Sequence, residues 1–326
     1  MKTYTKCCLA IAGLFAAAMT SLITTDRVKE LKEKKTFNPY GFPVETEFGN
    51  MRAITAGEKG PQIVILTGYG SPSPYLEFKP LMKSLSRFAR VTILEPLGYG
   101  CADDTKRPRT IENIVEELEA AFNALNLKKV WLMPHSISGI YSLAFVNKHP
   151  ERVEGILAID PSHPKQIDYF DTSSQNRLSY ILKNMGLLRL TKGPVHGEEN
   201  YGVDYNAEEL NMMRTMYLWH NHDFTQNNEA KHFKANMNTC RNMGYPEHLP
   251  VLMMLSSENV RNFDDWWLQL HDEQISTTKH GKMTILKGNH FLHLTQAAQI
   301  AEYSRKFIRD TLLRKLEEVE KQIKNK

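Results

Sequence analysis

The sequence predicts an α/β fold built on a doubly wound, mostly parallel sheet with an inserted helical cap. Short apolar runs alternate with segments of helical period over residues 62–159, and the alternation resumes over 251–313. The residues between, 161–249, contain helical patterns but no convincing strand. A structureless insert of that length is improbable in a compact domain, so this segment is expected to form the cap.

The strands are expected where apolar residues run together between turn signals. A hairpin comes first, with Val44–Phe48 and Met51–Ala56 on either side of Gly49-Asn50. The strands of the parallel sheet are expected at Gln62–Leu66, Val91–Leu94, Val130–Met133, Gly155–Ile159, Val251–Leu255 and Met283–Leu286.

The helices are expected where apolar residues recur every three or four positions. Ser73-Pro74 and Thr110 are typical helix starts, and Ser256–Asn259 is expected to be a loop. The cap helices are expected near Ile167–Met185, Glu208–Trp219 and Glu229–Met243, followed by a core helix carrying Trp266 and Trp267 and a closing helix from about Gln296.

Composition excludes several classes of protein. The chain has 326 residues, 41% of them hydrophobic and 24% charged, which suits one large α/β domain. A net charge of +4, with much of the excess at the two ends, gives no reason to expect nucleic-acid binding. The four cysteines have no C-x-x-C spacing, and His220 and His222 have no clear third ligand, so we predict neither a disulfide or zinc framework nor another metal site.

The first 25 residues form an apolar leader. Lys2 and Lys6 precede an apolar or small stretch from Cys7 to Ile23, which is close to the minimum length that spans a bilayer. Ala16-Ala17-Ala18 would suit cleavage of a signal peptide, whereas the basic run Arg27–Lys35 resists translocation. The sequence therefore predicts a membrane-anchored or exported (extracytoplasmic) protein and leaves open whether the leader is a cleaved signal or an anchor.

These patterns divide the chain into four parts. The leader covers residues 1–25, and the α/β core is expected at 39–160 and 250–313. The helical cap would occupy 161–249, and 314–326 would be a charged C-terminal tail.

The strand at Val130–Met133 is followed by Pro134-His135-Ser136-Ile137-Ser138-Gly139, which predicts a sharp turn from strand to helix. A serine at such a turn, the nucleophile elbow, presents its hydroxyl above the sheet. The usual pattern G-x-S-x-G has glycine two residues before and after the serine, where this chain has Pro134 and Ser138. Ser136 is nevertheless the candidate nucleophile.

A serine nucleophile needs a base, an acid that orients the base, and donors for the oxyanion. His290 follows the last strand and is the candidate base, whereas His135 should point away from Ser136. Asp160 ends the next strand after the elbow and is the favoured acid, with Glu258 as the alternative. The Tyr69 and Ile137 N–H groups are the candidate oxyanion donors.

Five motifs in this order resemble the α/β-hydrolase superfamily, and bacterial members with a membrane leader in particular. The resemblance covers about Pro39–Leu313 and fits the cap poorly. The motifs are Gly68–Pro74, Glu95–Gly100, Pro134–Gly139, Ile159–Pro164 and Gly288–His293.

The resemblance implies hydrolysis of an ester, thioester or amide of a small-molecule substrate through an acyl-enzyme, without a cofactor. In similar sequences an aspartate at the position of Asp160 is a regular feature, and a serine at 136 argues against the aspartate-dependent dehalogenase and epoxide-hydrolase branches. Cys101 departs from the family pattern, which often has an aromatic residue there.

Two other functions remain compatible with the sequence. One is a catalytically silent hydrolase-like module that binds a ligand or a protein at the membrane, because fold alone does not determine function. The other is an acyltransferase or aminopeptidase that uses the same three residues. The substrate would be selected by the cap.

Overall fold

A single eight-stranded sheet forms the centre of the protein in the computed structural model, which describes residues 2–169, 180, 182–190 and 201–324. Across the sheet the strands lie in the order β1-β2-β4-β3-β5-β6-β7-β8. β2 is antiparallel to β1 and β4, and the other neighbours are parallel, which confirms the predicted fold class. The strands are β1 Phe42–Thr46, β2 Gly49–Ala56, β3 Gln62–Leu66, β4 Arg90–Glu95, β5 Val130–Pro134, β6 Val153–Ile159, β7 Val251–Ser256 and β8 Gly281–Leu286.

Helices pack on both faces of this sheet and over one edge. In the described residues they are α1 Lys2–Thr36, α2 Pro74–Leu85, α3 Ile111–Ala124, α4 Ser138–Lys148, α5 Ala207–His220, α6 Phe224–Thr239, α7 Ser257–Asn262, α8 Asp264–Ile275, α9 Leu292–Thr295 and α10 Ala297–Lys324.

The core has two layers because successive side chains of a strand point to opposite faces. Val64 and Leu66 of β3 pack with α3 and α4, whereas Ile63 and Ile65 pack with α2 and α10. Both faces of the parallel strands are therefore buried, which is why their sequences are continuous apolar runs.

Most predicted elements are present, with two corrections at turns. The hairpin turn is at residues 47–48, because the Thr46 hydroxyl accepts a hydrogen bond from Phe48 N and donates one to Gly49 O. The predicted loop Ser256–Asn259 is wrong, because the Ser256 hydroxyl accepts from Asn259 N and thereby caps α7.

The cap helices agree with the sequence where the structure describes them. α5 confirms the helix predicted at Glu208–Trp219. α6 begins before Glu229, at Phe224, because Asp223 caps it, and it ends at Thr239. The helix predicted at Ile167–Met185 lies largely outside the described residues.

Helix α1 continues without a break through the apolar leader and the basic run. The span Cys8–Thr36 is long and apolar enough to cross a membrane, by length and composition. It lies near the N-terminus, and signal sequences have the same length and composition. At the other end, α10 continues through the segment 314–324 that was expected as a charged tail.

Candidate active site

The turn between β5 and α4 holds Ser136 in an unusual backbone conformation. Its φ is +55°, in the left-handed region that residues other than glycine seldom adopt. Its N–H donates to Ile159 O (3.3 Å), and its carbonyl accepts from Ser162 N (2.8 Å) and Gly139 N (2.9 Å). The surrounding backbone thus holds the conformation that lifts the serine hydroxyl off the sheet edge.

Both departures from G-x-S-x-G fit this turn. Pro134 pairs with Leu66 at the end of β5, where the missing N–H is tolerated. The Ser138 hydroxyl lies 2.9 Å from Leu66 O and 2.8 Å from His135 O, and it accepts from His135 N at 2.9 Å. The closest approach comes one residue later, since a Cβ on Gly139 would lie 2.7 Å from Pro161 Cβ.

The loop after β3 passes directly beside the turn. A Cβ on Gly68 would lie 3.1 Å from Ser136 Cβ, so glycine is required there by close approach. Tyr69 N follows Gly68, and Ile137 N follows Ser136 at the start of α4. The Ile137 N–H has no backbone acceptor among the described residues. Both candidate oxyanion donors therefore belong to segments that adjoin Ser136.

Asp160 and His290 form a close pair. His290 Nδ1 lies 2.6 Å from Asp160 Oδ2, and the Asp160 side chain is fully buried. The carboxylate also accepts from Ser256 N (2.9 Å) and Asn259 Nδ2 (2.5 Å). As an acceptor at His290 Nδ1, this carboxylate selects the His290 tautomer that carries its proton on Nδ1. Nε2 of His290 is then free to accept a proton.

Ser136 and His290 are linked through His135, whose Nε2 donates to His290 O at 3.0 Å. Among the described residues, neither the Ser136 hydroxyl nor His290 Nε2 has a protein hydrogen-bond partner. The ring of His135, the neighbour of Ser136, lies 4.6 Å from the His290 ring between centroids. Catalytic hydrogen bonds are often long before substrate binds, so this arrangement is compatible with a base and its nucleophile.

Glu258, the alternative acid, is placed differently. It lies in the first turn of α7, and its N–H donates to Gly288 O at 3.1 Å. In the described part of the chain its carboxylate makes no hydrogen bond to His290. The structure brings Asp160 to His290 and leaves Glu258 apart.

Asn259 was missed as a site residue by the sequence analysis. Its amide nitrogen lies 2.5 Å from Asp160 Oδ2 and 3.4 Å from His290 Nδ1. The signal that could have found it is its position after a strand end, three residues beyond a capping serine, which directs the first turn of α7 towards the site.

A family model described as the alpha/beta hydrolase fold matches residues 61–295, which is more than half of the chain. The chain belongs to the α/β-hydrolase fold family. This is a family of hydrolases, and the catalytic candidates Ser136, Asp160 and His290 all lie within the matched residues.

Curated relatives of this α/β hydrolase include proteins of different activities. The uncharacterized protein YbdG of Bacillus subtilis (strain 168) is 23% identical over 92% of this chain and 95% of its own length. A 2-hydroxy-6-oxo-2,4-heptadienoate hydrolase of Pseudomonas putida (strain F1) is 32% identical, over 33% of this chain and 39% of its own. A haloalkane dehalogenase of Agrobacterium fabrum (strain C58) is 26% identical over 36% and 37%.

Solved structures show the same fold at low sequence identity. An epoxide hydrolase variant of Vigna radiata has a TM-score of 0.60 and 18% identity, covering 82% of this chain and 98% of its own. A laboratory-evolved potato epoxide hydrolase has a TM-score of 0.63 and 16% identity, covering the same shares.

Behind the candidate site of this α/β hydrolase lies a buried group of three titratable side chains. His135 Nε2 donates to His290 O at 3.0 Å, and His293 Nε2 lies 2.9 Å from a carboxylate oxygen of Glu77. The His293 ring stacks on Phe78 with 4.1 Å between centroids. Burial, together with His293 and His290, holds the pKa of His135 well below its usual value. A neutral His135 therefore supports the loop that carries His290.

Two groups of side chains have donor atoms within 4.8 Å of one another, as in metal sites. They are Glu77, His135 and His293, and Asp104, His220 and Asp223. In each group one histidine nitrogen already contacts a protein group. His293 Nε2 lies 2.9 Å from Glu77 in the first group, and His220 Nε2 lies 2.8 Å from Gly100 O in the second.

The cap helix α6 brings a buried carboxyl group towards the site. Glu229 accepts from Tyr99 OH (2.7 Å) and Tyr141 OH (2.6 Å). Burial raises the pKa of Glu229, and the nearby Arg109 opposes this effect. These side chains line a small cavity, about 30 Å³, that also contacts the Gly68 backbone. The cap is therefore held to the core by polar contacts beside the candidate oxyanion loop.

The unusual residue Cys101 is no rival nucleophile. Its N–H donates to Glu95 Oε2 at 2.7 Å. Burial, reinforced by the Glu95 charge, raises the pKa of the Cys101 thiol to about 12. The residue is therefore an unreactive thiol at neutral pH, because the thiolate is the nucleophilic form.

Proposed function

We propose that the protein is a serine hydrolase that cleaves an ester, thioester or amide through an acyl-enzyme. Ser136 is the nucleophile, His290 the base and Asp160 the acid in this proposal. The observation that carries it is the 2.6 Å contact of His290 Nδ1 with the buried Asp160 carboxylate, beside a serine held at a φ of +55°.

The proposed reaction begins when His290 Nε2 removes the Ser136 hydroxyl proton and the oxygen attacks the substrate carbonyl carbon. Asp160 stabilises the imidazolium that forms. The Tyr69 and Ile137 N–H groups donate to the oxyanion. His290 then protonates the leaving group, the carbonyl re-forms as the acyl-enzyme, and water activated by the same histidine releases the acid and restores Ser136.

The chemistry of serine favours acyl substrates over epoxides or alkyl halides. A serine oxygen that attacked a saturated carbon would form an ether. An ether has no carbonyl carbon for water to attack, so the enzyme would not be regenerated. A carbonyl substrate instead gives an ester intermediate that a second attack hydrolyses. The serine at position 136 therefore favours acyl-ester chemistry over the activities named for the haloalkane dehalogenase and epoxide hydrolases that this chain resembles.

Two features favour a catalyst over a silent binding module. A positive φ at a serine costs about 1–3 kcal/mol and persists only where the surroundings impose it. A fully buried carboxylate that orients a half-exposed histidine, as Asp160 orients His290, serves proton transfer and has no evident use in simple ligand binding.

The proposal includes a small-molecule acyl substrate, no cofactor, no nucleic-acid partner, and attachment to a membrane through α1. The exposed apolar residues of α1 support the attachment.

Turnover of 4-nitrophenyl esters of increasing chain length by the full chain in mild detergent tests the proposal. We expect Ser136→Ala and His290→Ala each to lower kcat by at least about 1,000-fold, because the three groups act as a unit. Ser142→Ala, a change of the same size within α4, should leave kcat unchanged. Turnover that survives in Ser136→Ala would refute the proposal. Added alcohols or amines that capture the acyl group would identify an acyltransferase.

A further inference from the structure

One stripe of α1 is covered by the rest of the protein. Every residue from Cys8 to Ala18 is exposed, and the covered positions begin at Met19 and recur at helical spacing down to the end of the helix. The covered residues are Met19, Leu22, Asp26, Glu30 and Glu33. The C-terminal half of α1 is therefore docked on the rest of the protein, whereas its N-terminal half is exposed.

The docking partner is a segment of the cap, residues 182–190, which we call the cap edge. Arg189 donates from Nε to Asp26 Oδ1 (2.5 Å) and through both terminal nitrogens to the Glu33 carboxylate (2.7 and 2.8 Å). A Cβ on Gly186 would lie 3.0 Å from Leu22 O, so the two backbones are in close contact. Trp219 of α5 donates to Glu33 at 3.0 Å. A partly buried, bidentate arginine makes this contact specific.

Some of the covered residues of α1 lie within the part of the helix that would be needed to span a bilayer. A spanning helix requires about 20 residues, which from Cys7 reaches about Asp26. The cap covers one face of the same helix from Met19 onwards. The overlap of about eight residues corresponds to about 12 Å along the helix axis. If α1 spans a bilayer, Arg189, which contacts Asp26 and Glu33 at and beyond the end of this length, lies at headgroup level, and Gly186 beside Leu22 lies deeper.

The surface around this contact suits lipid headgroups. Leu190 is 69% exposed and Leu182 37% exposed, both on the cap edge. On α1, Lys29, Lys32 and Lys35 are exposed, and the run of residues 27–35 contains five basic and two acidic residues. Apolar side chains beside lysines are typical of surfaces that bind anionic bilayers.

We propose that α1 is a retained membrane anchor and that the cap edge lies against the headgroups of an anionic phospholipid bilayer. The partner is the lipid surface itself. The Arg189 contacts with Asp26 and Glu33 hold the cap in this position. The proposal rests on the membrane attachment through α1 and is independent of the proposed hydrolase activity, because it concerns where the cap lies and not what the site cleaves.

Fluorescence quenching by spin-labelled lipids tests this placement. The full chain, with Cys7, Cys8 and Cys101 replaced by serine and the buried Cys240 retained, is labelled with bimane at Leu190→Cys. The protein is reconstituted into vesicles of phosphatidylglycerol and phosphatidylcholine that contain headgroup-nitroxide lipid. The control label is at Lys315→Cys, close to Glu154 at the amino end of β6 and so at the sheet edge opposite the cap.

We expect at least threefold stronger quenching at position 190 than at position 315. Arg189→Ala should lower the quenching at 190 at least twofold while the protein still floats with the vesicles. Arg241→Ala, which removes an exposed cap ion pair with Asp168, should not change it. Glu33→Gln serves as a milder second variant if Arg189→Ala does not fold.

Equal quenching at the two positions would overturn the proposal, and so would an intact mass that lacks the residues before Met19. Neither readout measures turnover, so a failure of the hydrolase proposal would leave this result unaffected.

Discussion

The His290 imidazole and the Asp160 carboxylate meet at 2.6 Å, although 130 residues separate them in the sequence. The contact joins the end of β6 to the loop after β8, which lie on either side of β7 at the carboxyl edge of a parallel sheet. Ligands bind at this edge in open α/β sheets. The geometry thus supports one of the two acids that the sequence left open.

Replacing each acid by its amide should separate their roles. Asp160→Asn should lower kcat by about 10³- to 10⁴-fold, because His290 loses the acceptor that selects its tautomer. Glu258→Gln should change kcat by less than about twofold, since the Glu258 carboxylate has no contact with His290. Steady-state kinetics on one activated ester measures both, and the reverse order would assign the acid to Glu258.

Asn259 should matter through Asp160. Asn259→Ala removes a hydrogen bond to an ionised group, which is worth about 1.5–3 kcal/mol, so kcat should fall about 10- to 100-fold. KM should change little, because the amide positions the acid and not the substrate. Asn262→Ala, an exposed position in the same helix, is the control. A change in KM alone would show that Asn259 contacts the substrate instead.

Two serines in α4 should respond oppositely to alanine. Ser138→Ala removes the buried side-chain hydrogen bonds to His135 N and Leu66 O and should lower the free energy of unfolding by about 0.5–1.5 kcal/mol. Ser138→Gly should do the same, although it restores the usual glycine of the motif. The buried Ser142 hydroxyl has no partner among the described residues, so Ser142→Ala should be neutral or stabilising. Urea unfolding in detergent measures these changes, and equal losses would contradict the account.

His163 should make the protein sensitive to acid. Burial, with His271 and Lys165 nearby, lowers the pKa of His163 to about 3, and its Nδ1 accepts from Lys165 N, which requires a neutral ring. The unfolded chain, with an ordinary histidine pKa, binds a proton as pH falls through about 6.5, whereas the folded protein does not until about pH 3. Stability is therefore lost between these two values as pH falls.

At pH 5 the loss due to His163 should be about 2 kcal/mol relative to pH 7. His163→Asn keeps a cap acceptor and removes the titrating group, so its unfolding free energy should decline less over the same interval by that amount. Other buried groups titrate equally in both proteins and cancel in the difference. Parallel curves for the two proteins would contradict the assignment.

Local patterns were sufficient to predict the sheet, the elbow and the loop that carries His290, because each depends on neighbouring residues. The sequence shows that Pro134 and Ser138 differ from the glycines of G-x-S-x-G. Only the three-dimensional contacts show that Ser138 bonds across the turn and that Gly139 makes the close approach. The residues within a strand or turn were predictable because their constraints are local.

Contacts between distant segments could not be predicted in the same way. Asp160 and Glu258 both follow strands that end at the same edge, so spacing alone could not choose between them. The pairing of Glu77 with His293 joins residues 216 positions apart, and the capping of α7 by Ser256 turned an expected loop into the helix that delivers Asn259.

Mass spectrometry of the full chain after reaction with a fluorophosphonate tests whether Ser136 is an activated nucleophile. We expect one phosphonyl group per chain, attached to the peptide that contains Ser136, and no adduct in Ser136→Ala. Folded protein that takes up no label, or label that persists in Ser136→Ala, would contradict an activated serine at the elbow.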